Sequence, residues 1–477
     1  MRLRPLCCIE RVSFCKSSGA NLVKPVAVGT DSATEPVTLA VIGAGLRGAG
    51  YARLAARTGR ARIVAVAEPD PVRRAAFAAE HGLDDALVFE RWEDLVERSQ
   101  LADAVIIATQ DRFHAEPAIA AAGLGYHVLL EKPMAPTEAE ATAIADAADR
   151  AGIVLMVCHV LRYTPYTRAL RRVLDEGRIG RVTTIQHLEP VGWWHQAHAY
   201  VRGNWSNEAR SAPMLLAKAC HDLDWIVHVK GMLPTKVSSF GSLTHFHPAQ
   251  APEGAAERCL DCQVENQCLY SAKRFYLETC LPDPKLRAWP LAAVTDEMTR
   301  DGVTRALREG PYGRCVYACD NDVVDNQVVN LEFPDGATAS FTMTAFSAAA
   351  HRMTRIFGTR GVIEGDGRTL RLREFGKATA ASKDGGGAGA EEIIDTGAAG
   401  GPTAADGHGG GDIGVVEAFL AEVQAAVAGA VSGSGGGESK HVLTDAATSL
   451  ATHRIVWAAE RSRRLGTVEE LRKSPGG

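Results

Sequence analysis

Three short motifs in the first third of the chain hold residue types that could do chemistry. Gly43-Ala-Gly45-Leu-Arg47-Gly48 closes an apolar run, and Glu68 stands twenty residues after its last glycine. Glycine at 43 allows a tight turn, Gly45 lets the backbone approach a pyrophosphate, and Gly48 allows close helix–strand packing. A helix starting there aims free N–H groups and a positive dipole end at phosphates. Glu68 is placed to accept from both ribose hydroxyls of an adenosine half. That favours NAD, because a carboxylate repels a 2′-phosphate; Arg73 and Arg74, just beyond, keep NADP as the alternative cofactor. The second motif, Ala108-Thr109-x4-His114, follows an apolar run and falls at the sheet edge where open α/β folds bind ligands. The third, Glu131-Lys132-Pro133, follows the apolar run His127–Leu130. A lysine held there by the backbone can orient a hydroxyl or carbonyl and share its proton, whereas a lysine in a surface turn would do neither.

Apolar periodicity supplies the elements that must position these residues. Val37–Ile42, Ile63–Ala67, Ala104–Ala108, His127–Leu130 and Ile153–Cys158 are short apolar runs that read as buried strands. Helical patterns over 48–57, 71–81, 116–122 and 137–151 separate them, so residues 36–158 are expected to form a Rossmann domain on a parallel sheet. Beyond 158 the alternation stops. After a helix over 165–176 come strand-like runs at 182–189, 237–243, 323–333, 338–345 and 361–364, which predict an α+β domain on a large, mostly antiparallel open sheet over 159–372. Residues 245–320 read as long loops rich in Cys and Pro. The Gly/Ala-rich stretch 373–413 and the tract 432–437 read as flexible insertions. Helical patterns at 415–427 and 443–463 are expected to complete the second domain within 414–477.

The ordered set Gly43-x-Gly45-x-x-Gly48, Ala108-Thr109-x4-His114, Glu131-Lys132-Pro133 and Arg162-Tyr163-x-Pro165 resembles the glucose–fructose oxidoreductase/inositol dehydrogenase (Gfo/Idh/MocA) family. The resemblance covers about residues 36–372 and the closing helix. It implies hydride transfer between a nicotinamide cofactor and a sugar- or cyclitol-like alcohol or ketone. By the same resemblance, Gly43, Gly45, Arg47, Gly48, Glu68, Thr109, His114 and Glu131 serve the cofactor. Lys132 assists proton transfer, and Arg162, Tyr163, Lys218 and Asp222 serve the substrate. In Lys218-Ala-Cys-His221-Asp222, the histidine matches the family's usual acid or base. The aspartate normally four residues before it is replaced by Ala217. That departure points to Lys218, His221 and Lys132 as a different proton-handling set. Trp193, Trp194 and His195, in a loop before this motif, offer aromatic faces suited to sugars, or serve equally as core or subunit-interface residues.

Two other functions fit the same motifs. Gly-x-Gly-x-Arg47-Gly and His408-Gly-Gly-Gly-Asp412 are loosely similar to features of relatives that keep NAD bound and hydrolyse glycosides through transient oxidation. A dinucleotide sensor without catalysis is the third reading, and Lys132 with His221 argues against it.

Composition narrows the class further. The chain of 477 residues carries 52 basic and 57 acidic side chains, a net charge of −5. No basic excess points to nucleic acid, and no apolar run approaches the ~20 residues that span a bilayer. The resemblance implies a small carbohydrate-like molecule as the partner, with self-association through the second domain's sheet. Eleven cysteines in a chain of this length are not a disulfide framework. Cys259-x2-Cys262-x5-Cys268, Cys280 and Cys315-x3-Cys319 cluster in the long loops. The close pair can clamp a soft metal such as zinc, but the remaining spacing is not a standard one, and reduced thiols or a disulfide serve equally. No metal ligands are assigned. Residues 1–35 carry five basic side chains and no continuous apolar core, as in an organelle transit peptide or a disordered extension. The expected location is cytoplasmic or organellar rather than secreted.

Overall fold

Short apolar runs build the first sheet. Val37–Ile42 (β1), Ala61–Ala67 (β2), Val88–Phe89 (β3), Ala104–Ile107 (β4), His127–Leu130 (β5) and Leu155–Val157 (β6) pair in parallel, in the order β3-β2-β1-β4-β5-β6. Both faces are covered, which is why these strands are continuously apolar rather than alternating. Between them run helices Leu46–Arg57 (α1), Pro71–His81 (α2), Trp92–Val96 (α3), Ala115–Gly123 (α4) and Glu138–Ala151 (α5). Their ends follow side-chain chemistry. Asp70 caps α2 by accepting from the Val72 and Arg73 N–H groups, and Thr137 with Glu140 forms a capping box on α5. Strand order reverses at β1/β4, so the turns after these two strands flank the crevice at which doubly wound sheets bind ligands.

This fold is that of a computed structural model describing residues 35–348, 351–376, 391–397, 408–429 and 443–471. The expected leader segment, apart from Glu35, and the tract 432–437 lie outside the described residues.

The second sheet comprises Val182–Pro190 (β7), Lys236–Ser242 (β8), Asn326–Glu332 (β9), Thr338–Thr344 (β10), Met353–Gly358 (β11), Gly361–Gly365 (β12), Thr369–Glu374 (β13), Glu391–Asp395 (β14) and Glu469–Glu470 (β15). Its order is β14-β13-β12-β11-β7-β10-β9-β8-β15, with β7 and β10 parallel and every other neighbour antiparallel. Helix Pro165–Asp175 (α6) precedes this sheet. A short helix, Trp193–His195 (α7), runs on as the π-helical turn Gln196–Arg202, and the long helix Met214–Lys230 (α8) follows. Alternation along β9 and β10 buries one face of the sheet, on which α8 packs against β7 and β10, while Phe240, Val328 and Met353 remain exposed.

Three differences from the sequence expectation have physical causes. Part of the expected flexible insertion, Glu391–Asp395, is a strand, because charged side chains on β13 and β14 pair across the ladder, as in Arg373–Glu391. The expected loops at 245–320 contain the π-helix Lys273–Cys280 and helices Pro284–Ala288 (α9) and Arg300–Glu309 (α10). These pack around Tyr276, Leu277, Leu291, Val303 and Leu307 as a small core of their own. The last two long helices divide between the domains. Gly411–Val427 (α11) buries Val415, Phe419 and Val423 with β1 and α1, whereas Ala446–Leu465 (α12) packs on α8 and β8 and also touches α5. No helix among the described residues is long and apolar enough to cross a membrane.

Candidate active site

The glycine-rich turn excludes side chains at two of its three glycines and is open at the third. A Cβ on Gly48 would sit 1.9 Å from the Gly43 carbonyl oxygen, and Gly43 itself has φ +88°, so neither position tolerates a side chain. A Cβ on Gly45 would meet nothing within 4 Å, which leaves an open approach above the turn. Among the described residues, no side chain caps the N-terminus of α1. Glu68 lies at the end of β2, its Oε2 accepting from the Ala44 N–H (2.7 Å) and its Oε1 from the Asp70 N–H (3.0 Å). The carboxylate is thus fixed beside the turn, with lone pairs left for hydroxyl donors. Arg74, the nearer candidate for a 2′-phosphate, donates instead to the Glu68 and Pro69 carbonyls, and Arg73 is exposed beside Asp70. These residues fit NAD. Glu68→Ala is expected to weaken NAD binding about 10–100-fold, the loss of hydrogen bonds to a charged acceptor, while hardly changing NADP binding. Titration with both cofactors checks it.

Arg47 does not point at the phosphate site. Its guanidinium donates to Glu131 Oε1 (2.6 Å), to both oxygens of Asp412 (2.9 and 3.0 Å) and to the Tyr51 hydroxyl. Burial alone would raise the Glu131 carboxyl, but Arg47 and Lys132 hold it below the usual carboxylate range. Glu131 also accepts from the Lys132 N–H (2.5 Å), so a chain of charge joins the cofactor turn, Lys132 and the first turn of α11. His114 is buried and its ring bridges the Pro133 carbonyl (2.8 Å) and the Thr109 carbonyl (3.2 Å). It ties the loop after β4 to the loop after β5. Thr109 turns its hydroxyl onto the Phe113 carbonyl (3.0 Å).

Lys132 emerges from β5 and its Nζ donates to the Ala217 carbonyl (2.7 Å) in the first turns of α8. The backbone carbonyl receives the ammonium at the position where a family aspartate would stand. One turn further, His221 is buried and its Nδ1 has no hydrogen-bond partner among the described residues. Burial pushes its pKa well below the ordinary value, and the Lys132 and Arg352 cations push it further. The imidazole is neutral near pH 7.

His221 stands in a file of four imidazoles. Ring centroids are 5.2 Å apart for His453–His159, 6.2 Å for His159–His221 and 6.0 Å for His221–His408. His408 has φ +45°, a left-handed conformation that costs a non-glycine residue of order 1–2 kcal/mol. It is held there by a 2.9 Å hydrogen bond between Nδ1 and Asp412 Oδ1. Since the carboxylate can only accept, His408 Nδ1 carries the proton and Nε2 is left basic. His408, Asp412 and the strained turn between them were visible in the sequence only as a glycine-rich motif.

The remaining expected substrate residues are tied into the interior. Asp222 accepts from Arg352 Nε (2.5 Å) and contacts His187 Nε2 (3.0 Å). Burial opposes its ionisation, yet these partners hold its carboxyl well below the ordinary value. Arg352 also pairs with Glu189 (2.9 Å), which pairs with Lys218 (3.0 Å). Lys218 is the partly exposed end of this chain, with 18% of its side chain accessible. Arg162 donates to both oxygens of Asp224 (2.7 and 2.6 Å), and the Tyr163 hydroxyl meets Thr444 Oγ1 (3.0 Å). Burial pushes that phenol up to about 12. Arg352 and Glu189 escaped sequence reasoning. Glu189, a charge closing an otherwise regular strand pattern, was the one available signal. Asp224→Ala, which strands a buried guanidinium, is expected to cost about 3–5 kcal/mol in urea unfolding.

Residues 37–159 match the family model described as oxidoreductase family, NAD-binding Rossmann fold, and 171–384 match the one described as oxidoreductase family, C-terminal alpha/beta domain. Over 216 residues the chain is 29% identical to a 2,7-anhydro-N-acetylneuraminate hydratase of Escherichia coli (strain K12), covering 44% of this chain and 55% of that protein. Over 154 residues it is 37% identical to inositol 2-dehydrogenase 2 of Saccharopolyspora erythraea, covering 32% and 44%. The chain therefore spans about half the length of these curated relatives. The solved structure of levoglucosan dehydrogenase in complex with NADH and L-sorbose aligns with a TM-score of 0.63 at 21% identity. It covers 92% of this chain and 100% of that one, a likeness of fold.

Proposed function

Because the chain belongs to the Gfo/Idh/MocA oxidoreductase family, we propose that it moves hydride between NAD and a carbinol carbon of a sugar- or cyclitol-like substrate. The observation that carries this reading is the meeting of Lys132, His221 and His408 beside the glycine-rich turn. The names of two relatives, an inositol dehydrogenase and a levoglucosan dehydrogenase, support the polyol class.

A cofactor held at the glycine-rich turn would supply a hydride acceptor as NAD+ or a hydride donor as NADH. The rest falls to side chains. Lys132, anchored on the Ala217 carbonyl, presents its remaining N–H donors to the substrate oxygen and stabilises the charge that grows there. The imidazole pair takes the hydroxyl proton. His221 is neutral and next to Lys132, and His408 is made the stronger base by Asp412. Gly43, Gly45, Gly48 and Glu68 hold the dinucleotide. Arg47, Glu131, Thr109 and His114 act as positioning residues that lock its turn to Lys132. Lys218 contributes a cation to the pocket, while Arg162, Tyr163 and Asp222 position α8 from behind. Self-association through the sheet face bearing Phe240, Val328 and Met353 belongs to the same proposal.

A panel of sugars and cyclitols incubated with NAD and followed by NADH absorbance tests this function. Stoichiometric NADH with one substrate class is the expected result. The His408–Asp412 pair favours one second reading, in which hydride returns to the substrate after a neighbouring bond has been broken. Net dehydrogenation needs one proton acceptor, whereas elimination beside an oxidised carbon needs two acid–base groups. Turnover with retained NAD and no net NADH would select it.

A further inference from the structure

The aromatic run Trp193–His195 takes no part in the proposed chemistry, yet it is built onto the edge of that site. Near the end of β7 the Glu189 carboxylate pairs with Lys218 (3.0 Å). Gly192, with φ +94°, then turns the chain into Trp193–His195. Desolvation lowers the His195 imidazole well below its ordinary value, and the Lys218, His198 and Lys132 charges lower it further, so the ring lies near both lysines.

The helical insertion between β8 and β9 completes this edge. Its π-helix Lys273–Cys280 brings Phe275 to Trp194, with 5.4 Å between ring centroids. Trp289, the residue after α9, meets Trp194 at 5.3 Å and His195 at 5.0 Å. His198 docks the insertion there. Its Nδ1 bonds the Tyr276 hydroxyl (2.8 Å), and its ring stacks on Tyr312 (4.9 Å). Tyr276 and Tyr312 belong to the insertion's own core, which fixes the position of Trp289.

Hydrogen bonding separates these indoles from tryptophans that serve a core. A buried indole N–H normally finds an acceptor. Those of Trp225 and Trp457 donate to Thr167 Oγ1 (2.9 Å) and the Pro136 carbonyl (3.1 Å). Trp194 and Trp289 are half-buried, and among the described residues their N–H groups have no acceptor. Electron-rich indole faces attract the C–H hydrogens of a pyranose, and unused N–H donors beside them reach its hydroxyls.

We propose that Trp194 and Trp289 form a second sugar subsite, so that the substrate carries a pyranose ring linked to the one held at Lys132. This rests on the polyol reading above and narrows it to glycosides and disaccharides. The ring contacts of His221 are with His159 and His408. Those of Trp194 and Trp289 are with each other, Phe275, His195 and His198. A sugar ring placed for chemistry at His221 therefore leaves the indoles to the next ring of the same molecule. Stacking on two indoles should tighten binding about 10–100-fold over the single ring.

Calorimetric titration of the NADH-loaded full-length protein tests this without turnover. The probes are glucose, galactose, mannose and xylose, each beside its own disaccharides. One disaccharide binding about tenfold or more tightly than its monosaccharide is the expected result. Trp194→Ala and Trp289→Ala should each remove about tenfold of that preference, and Trp289→Phe, which keeps an aromatic face, should restore most of it. NADH affinity shows whether each variant has folded, and the wild-type comparison decides without the variants. Disaccharides that bind no more tightly than monosaccharides overturn the inference, as do a preference unchanged in both alanine variants and binding of no sugar at all. Preferred disaccharide binding with no hydride transfer to NAD would support the subsite and contradict the dehydrogenase reading, so the two failures are distinct.

Discussion

Lys132→Met is expected to lower kcat/KM about 10²–10⁴-fold on the true substrate, while NAD affinity stays within about twofold. The expectation follows from where the ammonium lies. Its contact is the Ala217 carbonyl, which fixes direction without neutralising charge, so the cation is available to an oxygen becoming alkoxide. Methionine keeps the length and apolar volume of the stem and removes only the charged donor. The loss should therefore fall on kcat more than on KM, since charge on the substrate oxygen grows mainly in the transition state. Steady-state kinetics with a cofactor titration checks this. Equal losses in NAD affinity and turnover would mean that Lys132 serves the cofactor turn through Glu131 instead.

His221→Asn and His408→Asn should each cost about 10²–10³-fold in kcat/KM, and the pH profiles separate the two roles. Burial and neighbouring cations push His221 well below its ordinary value, so its unprotonated form persists as pH falls through 6.5. Burial also lowers His408, with Asp412 opposing the shift, so its protonation comes at the higher pH of the two. The wild-type enzyme should stay active down to the point where His408 gains a proton. Asp412→Asn removes the opposing charge and should move that acid limb to lower pH while weakening the base. An acid limb unmoved by Asp412→Asn would remove His408 from the proton path.

The parts of the site that lie at strand ends were legible from sequence because their neighbours are locally constrained. Gly43–Gly48, Glu68 and Lys132 each follow an apolar run, and the run predicts where the side chain emerges. Residues whose role depends on distant partners were not. Asp222 sits beside His221 in sequence and reads as a substrate ligand. It is instead closed off by Arg352, which immediately precedes β11 and carries no local pattern. Asp412 and His408 join the site only because α11 packs on the first domain, and the helical period of 415–427 does not say against which surface it packs. Strands β3, β11, β13 and β14 were missed for related reasons. The first has two residues, and the ladder β13–β14 is held by exposed charge pairs that periodicity in hydrophobic residues cannot register.

The central claim is that hydride passes between a carbinol carbon and the nicotinamide at a site organised by Lys132 and the two imidazoles. A sugar or cyclitol deuterated at its carbinol carbons, incubated with the enzyme and NAD, tests it most directly when the cofactor is recovered and weighed by mass spectrometry. Monodeuterated cofactor formed by the wild type and not by Lys132→Met is the predicted result. Substrate converted at the normal rate with the cofactor unlabelled would contradict the account.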